Sequence, residues 1–247
     1  MNVLEVKDLC KSFGGVRALD EVSFSLRRGE LLAMIGPNGA GKTTCFNIVN
    51  GQLQPDRGSV RIDGAGVAGL EPHRICRLGV GRTFQITATF GSMTVRENVQ
   101  IALLSHGGRL WNAWDAARNL FVKEADALLD RVGMRAQAER ACAVLAYGDV
   151  KRVELAIALA NDPRLLLMDE PTSGMAPQER VALMALAAEV ARERAIGVLF
   201  TEHDMDVVFA HADRVVALDR GRILAEGRPA EVRADARVRQ VYLGSRP

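Results

Sequence analysis

The chain has 247 residues, 48% of them hydrophobic and 25% charged, the balance of a soluble globular protein large enough to bury a substantial core. Lys and Arg number 32 against 30 Asp and Glu, and the net charge of +2 is too small for the electrostatic footprint of a nucleic-acid-binding protein. The longest clean apolar run, Val181 to Ala188, has eight residues, where a membrane span needs about 20. Met1-Asn2-Val3-Leu4-Glu5-Val6-Lys7-Asp8 also puts charges where a signal peptide has its apolar stretch. A cytosolic chain is expected, meeting a membrane only through a partner. Cys10, Cys45, Cys76 and Cys142 form no short pair and no metal-type spacing, so they read as reduced cysteines without chemistry.

In chain order, Val3 to Lys11 and Val16 to Leu26 alternate apolar and polar residues on either side of Phe13-Gly14-Gly15, and predict antiparallel strands of a small sheet. Leu31-Leu32-Ala33-Met34-Ile35 is continuously apolar, as in a strand buried on both faces. A helix should follow from Gly41 to about Gly51. From about Thr94 to Asn161 the pattern turns helical, with apolar positions such as Ala125, Leu128, Leu129 and Val132. Strand patterns return at Leu165 to Met168, Val198 to Thr201 and Val215 to Leu218. A helix from Pro177 to about Arg194 separates the first two, which makes this stretch βαβ with a parallel sheet. Arg214 to Leu218 and Arg222 to Ala225 flank Asp219-Arg220-Gly221 as a hairpin would. A helical block thus interrupts an α/β core, without repeat or linker.

Gly36-Pro37-Asn38-Gly39-Ala40-Gly41-Lys42-Thr43-Thr44 fits the pattern G-x-x-x-x-G-K-[ST], between an apolar strand and a helix. Glycines let the backbone wrap so that successive N–H groups face phosphate oxygens, and the helix N-terminus adds its positive end. Lys42 offers a charge to the β- and γ-phosphates and Thr43 a hydroxyl to Mg²⁺, so ATP or GTP is expected here. Arg164 to Glu170 is an apolar strand ending in two carboxylates. Asp169 sits where a carboxylate would hold Mg²⁺ through water, and Glu170 where a base would polarise the attacking water. His203, in Thr201-Glu202-His203-Asp204, ends another strand, and its chemistry alone divides evenly between a catalytic and a structural role. Gln85 in Arg82-Thr83-Phe84-Gln85 would bridge Mg²⁺ and water, or only cap a loop.

Together these residues resemble the ABC ATPase family over essentially the whole chain. The most discriminating piece is Leu145-Ala146-Tyr147-Gly148-Asp149, 21 residues before Asp169 when counted from Gly148, which is similar to the family signature Leu-Ser-Gly-Gly-Gln. The resemblance implies a P-loop NTPase core of RecA-like α/β type, with an antiparallel β subdomain and an inserted α-helical subdomain. The division expected is 1–84 and 165–247 for the core and 85–164 for the helical part, all within one ATPase domain. It implies that two subunits sandwich two ATPs with Mg²⁺, each phosphate loop facing the other chain's signature, here Ala146, Tyr147, Gly148 and Asp149. Phe13 would stack on adenine with Val16 beside it. Gln85 would be the Q-loop glutamine, Glu170 the catalytic glutamate, His203 the switch histidine, and Ser173-Gly174-Met175-Ala176 the D-loop.

More narrowly, the chain resembles the ATP-binding subunits of branched-chain amino acid importers. The residues that carry this are Gly81 to Gln85, Met93-Thr94-Val95-Arg96-Glu97-Asn98-Val99, Glu202 to Met205 and Val241-Tyr242-Leu243-Gly244, with an extra stretch between Ser105 and Val122 that holds Trp111 and Trp114. The implied partners are transmembrane permease subunits, a second ATP-binding subunit and, indirectly, a periplasmic or extracellular solute-binding protein. The implied place is peripheral, on the cytoplasmic side of the inner membrane. Uptake of urea, amides or aromatic acids, lipopolysaccharide export, and a non-transport ABC ATPase are the alternatives. Three departures stand out: Ala146 replaces the signature serine, Asp149 its glutamine, and Ala176 the usual polar D-loop residue. Importers of the type it resembles commonly pair two different ATPase chains, so the resemblance implies a heterodimer, with a homodimer possible, in which the partner's signature would serve this chain's intact phosphate loop.

Overall fold

Strands β1 (Asn2–Phe13) and β2 (Val16–Arg27) run antiparallel, with Phe13 opposite Val16 across a two-residue turn. That turn places Gly14 and Gly15 at φ 50 and 89, the left-handed pair that matches the twist of a hairpin and favours glycine. This is a computed structural model, and it describes residues 1–83, 89–106 and 120–243. Gln85, Trp111 and Trp114 lie outside the described residues.

After β2 come β3 (Leu31–Ile35), helix α1 (Lys42–Val49), β4 (Arg57–Ile62), β5 (Ala65–Gly66), α2 (Pro72–Arg77) and β6 (Val80–Thr83). Helices α3 (Val95–His106), α4 (Val122–Arg131) and α5 (Tyr147–Leu159) follow. The chain then alternates through β7 (Leu165–Asp169), α6 (Pro177–Glu193), β8 (Gly197–Thr201) and α7 (Met205–His211). It ends with β9 (Arg214–Asp219), β10 (Arg222–Gly227), α8 (Pro229–Ala234) and α9 (Ala236–Leu243).

A four-stranded antiparallel sheet is ordered β2-β1-β4-β5, and a six-stranded sheet β10-β9-β3-β8-β7-β6. In the second sheet, β9, β3, β8, β7 and β6 are parallel, and β10 closes one edge as an antiparallel hairpin with β9. Because side chains alternate along a strand, each central strand feeds two cores. Leu31, Ala33, Ile35, Leu166, Met168, Val198, Phe200, Val215 and Ala217 join one cluster with the helices after β6. Leu32, Met34, Leu165, Leu167, Leu199, Val216 and Leu218 face the other, against α1 and the antiparallel sheet. Burial on both faces explains why these strands read as continuous apolar runs.

The expected strands, the helix after the phosphate loop and the helix ahead of β8 are all present. β4 and β6 were not expected. Arg57-Gly58-Ser59-Val60-Arg61-Ile62 has only Val60 and Ile62 buried, and Val80-Gly81-Arg82-Thr83 carries a glycine and an arginine on an edge strand. Pairing with β1 and β7 respectively, rather than local pattern, makes them strands. The start of α3 is locked by a capping box: Glu97 N–H donates to Thr94 Oγ1 at 3.1 Å and Thr94 N–H to Glu97 Oε2 at 2.8 Å. Buried Asn98 ties this helix to its loop. It accepts from Phe90 N–H at 2.8 Å and donates to the carbonyls of Phe90 at 3.1 Å and Thr94 at 2.9 Å.

Candidate functional site

The parallel strands β3, β7 and β8 end on one side of the sheet, where open α/β sheets carry their ligands. The loop after β3 turns into α1 through Gly41, whose φ of 109 is left-handed. A Cβ there would stand 2.5 Å from the Ala18 carbonyl oxygen, so both the conformation and the space require glycine. Asn38, Gly39 and Thr43 are exposed, Pro37 and Thr44 half-buried, and Gly36, Ala40 and Lys42 buried. The Lys42 ammonium donates to the carbonyls of Gly36 at 2.5 Å and Pro37 at 3.2 Å. Burial holds its pKa below the usual lysine range, against the pull of the Glu170 and Asp169 carboxylates. The first turn of α1 carries no acidic residue. An unopposed helix N-terminus beside a buried ammonium is a donor set suited to a polyphosphate.

Asp169 and Thr201 lie side by side at the ends of β7 and β8. Thr201 Oγ1 donates to Asp169 Oδ1 at 2.7 Å and accepts from Glu170 N–H at 3.0 Å, so one hydroxyl fixes both carboxylate residues. Glu170 leaves the strand with φ 48, an uncommon conformation for a residue with a side chain. Its Oε1 is hydrogen-bonded to His203 Nε2 at 2.7 Å. The His203 ring is exposed and holds no core position, and this contact places it beside Glu170. Behind it, buried Glu202 accepts from Thr172 N–H at 2.9 Å, Thr172 Oγ1 at 2.6 Å and His203 N–H at 3.2 Å. That carboxylate links the loop after β7 to the loop after β8.

The Phe13 ring is 46% exposed and the Val16 side chain 70%, with Lys11 Nζ 5.5 Å from the ring centroid. An aromatic face so open at a hairpin tip is available for stacking. Ala146, exposed, is the N-cap of α5 and has no side-chain cap. Tyr147 is exposed, half-buried Asp149 accepts from Gln137 Nε2 at 3.0 Å, and Gly148 is buried. A Cβ on Gly148 would come within 2.9 Å of Glu179 Oε1 on α6, so this glycine lets the carboxylate close on the helix start.

The description "ABC transporter" fits residues 19–173, which contain the phosphate loop, the Ala146–Asp149 turn and the paired carboxylates. This chain belongs to the ABC transporter family. A second match, "Branched-chain amino acid ATP-binding cassette transporter", covers residues 222–246. Among curated ABC proteins, BraF of Pseudomonas aeruginosa, a high-affinity branched-chain amino acid transport ATP-binding protein, is 38% identical, covering 98% of each chain. LivG of Escherichia coli K12, described in the same words, is 36% identical with the same coverage. A cassette of an ABC transporter solved in its ADP conformation superposes with a TM-score of 0.88 at 31% identity, covering 99% of this chain and 100% of that one. A dimeric cassette in a post-hydrolysis state with ADP and phosphate gives 0.76 at 26% identity, covering 92% and 98%. ABC cassettes of transporters are ATPases, and the fold is that of the P-loop NTPases.

Three residues of this ABC cassette were not singled out from sequence: Thr201, Glu202 and Arg82. Thr201 and Glu202 stand next to His203, and the only available signal was a polar run closing a buried strand. Arg82 gave none.

Proposed function

We propose that the chain is the ATP-hydrolysing subunit of an importer for branched-chain or related hydrophobic amino acids. The observation that carries the hydrolytic part is the convergence of buried Lys42, Asp169 and the Glu170–His203 pair at the ends of neighbouring parallel strands. The solute class rests on the names of the relatives and on the match over residues 222–246.

Gly36, Pro37, Asn38, Gly39, Ala40, Gly41, Lys42, Thr43 and Thr44 would hold the phosphates, and Phe13 with Val16 the adenine. Thr43, Asp169 and Gln85 would hold Mg²⁺, which when bound neutralises charge on the phosphate oxygens. Glu170 would take a proton from the attacking water, with His203 orienting its carboxylate. Ala146, Tyr147, Gly148 and Asp149 would serve the nucleotide of a neighbouring subunit. In this reading 1–84 and 165–247 form the core with its antiparallel β subdomain, and 85–164 the helical subdomain, in a single ATPase domain. Partners would be transmembrane permease subunits and a second, different ATP-binding chain, with a solute-binding protein acting indirectly. The place of work would be the cytoplasmic side of the inner membrane. Among the described residues no helix is long and apolar enough to cross a membrane, so attachment would be through the permease.

Glu170→Gln tests the reading. It should keep ATP binding and lower turnover by about 10²-fold or more, the scale of a lost general base. The ATP-bound dimer should then persist in size-exclusion chromatography. Near-normal hydrolysis would remove Glu170 from this role.

A further inference from the structure

Asp169 has two oxygens, and only one is occupied by Thr201. The other, Oδ2, faces Arg82 Nη2 at 3.7 Å, and the two side chains are only 10% and 13% exposed. Arg82 comes from the edge strand β6 and is also held by the phosphate-loop helix and the turn after it. Its guanidinium donates to Asn47 Oδ1 on α1 at 3.2 and 3.3 Å and to Gln52 Oε1 at 2.9 Å. A fixed cation therefore stands beside a carboxylate expected to bind a second cation. At this separation and burial, charges are weakly screened, so Arg82 and a metal ion compete for the same oxygens.

We propose that Arg82 is a positioning residue that shares Asp169 with the divalent cation. Beside the Thr201 anchor, it offsets the charge of the carboxylate before loading and makes the nucleotide-free site a poor binder of the free ion. With ATP bound, its phosphates would supply the negative charge that Arg82 offsets, and Asp169 would then help to hold Mg²⁺. The inference rests on the assignment of Asp169 as a metal carboxylate. Loss of Arg82 changes charge more than geometry, because Thr201 still anchors Asp169 at 2.7 Å.

The test is Mn²⁺ binding to the nucleotide-free chain, read from the free-ion signal in electron paramagnetic resonance, with hydrolysis playing no part. Arg82→Met should lower the half-saturating Mn²⁺ concentration by about tenfold or more, a floor set by one unit charge removed at this distance with screening close to that of water. Arg82→Lys, which keeps the charge, should stay within about twofold. In the Arg82→Met background, adding Asp169→Asn should abolish the gain. If Asp169→Asn leaves Mn²⁺ binding and the Mg²⁺ dependence of ATP binding unchanged, the metal assignment itself fails. If Asp169→Asn weakens both while Arg82→Met binds Mn²⁺ as the parent does, or less tightly, the role of Arg82 is overturned. Arg82→Gln, which retains a donor toward Asn47 and Gln52, gives the same discrimination if the Met chain does not fold.

Discussion

Replacing Thr201 with valine keeps the shape of the side chain at the end of β8 and deletes one hydroxyl. That hydroxyl is 2.7 Å from Asp169 Oδ1 and 3.0 Å from Glu170 N. The second contact is backed up, because Glu170 N–H also reaches the Thr201 carbonyl at 3.2 Å. The loss therefore falls mainly on Asp169. A hydrogen bond to a charged group contributes about 1.5–3 kcal/mol. The Asp169 side chain keeps 13% exposure, so water compensates for part and the lower end applies. With about 1.5 kcal/mol lost and a urea slope of about 3 kcal/mol per molar, the unfolding midpoint should fall by about 0.5 M. Asp169 would also be free to turn toward Arg82, so Mg²⁺-dependent hydrolysis should drop by about tenfold, the rate equivalent of the same energy. ATP binding measured without Mg²⁺ should not change. The assays are urea denaturation followed by circular dichroism and steady-state ATPase rates across a Mg²⁺ titration. An unchanged midpoint together with an unchanged rate would show that the hydroxyl supports neither carboxylate.

Phe13→Ala should weaken ATP and ADP binding alike by about 1–2 kcal/mol through lost stacking. It should leave stability within about 0.5 kcal/mol, because the ring is exposed, and strong discrimination between the nucleotides in equilibrium titrations would place the ring elsewhere. Ala146→Ser puts a hydroxyl at the uncapped N-terminus of α5 and should stabilise the nucleotide-free chain by about 1 kcal/mol in thermal or urea melts. It should also raise the ATPase rate of this chain alone toward that of a mixture with the proposed second ATP-binding subunit. If the unmodified chain alone already matches the mixture and the variant changes nothing, the asymmetric pair is wrong.

The local chemistry of the site was legible because its motifs are contiguous. Gly36 to Thr44 and Asp169-Glu170 each combine a strand end with the groups that follow it, and an apolar run such as Leu31 to Ile35 announces a strand without knowledge of its neighbours. The helix from Pro177 was legible for the same reason, as it has proline at its start and apolar residues at helical spacing. The altered turn Ala146 to Asp149 was recognised from its likeness to a signature, since no local rule distinguishes it from any uncapped helix start.

What the sequence by itself determined was therefore the set of candidate site residues and the order of the central elements, since both are written in short-range pattern. Tertiary structure decided which of those residues meet. The Glu170–His203 contact spans 33 positions and depends on β7 and β8 being neighbours, and Arg82 reaches Asp169 only because an edge strand pairs with β7. Parallel strands bring together residues far apart in sequence through intervening helices, so their register leaves no local trace. Glu202 shows this most plainly. Its place in the run Glu202 to Met205 marks a resemblance but not a partner, and only folding places Thr172 and His203 around its carboxylate.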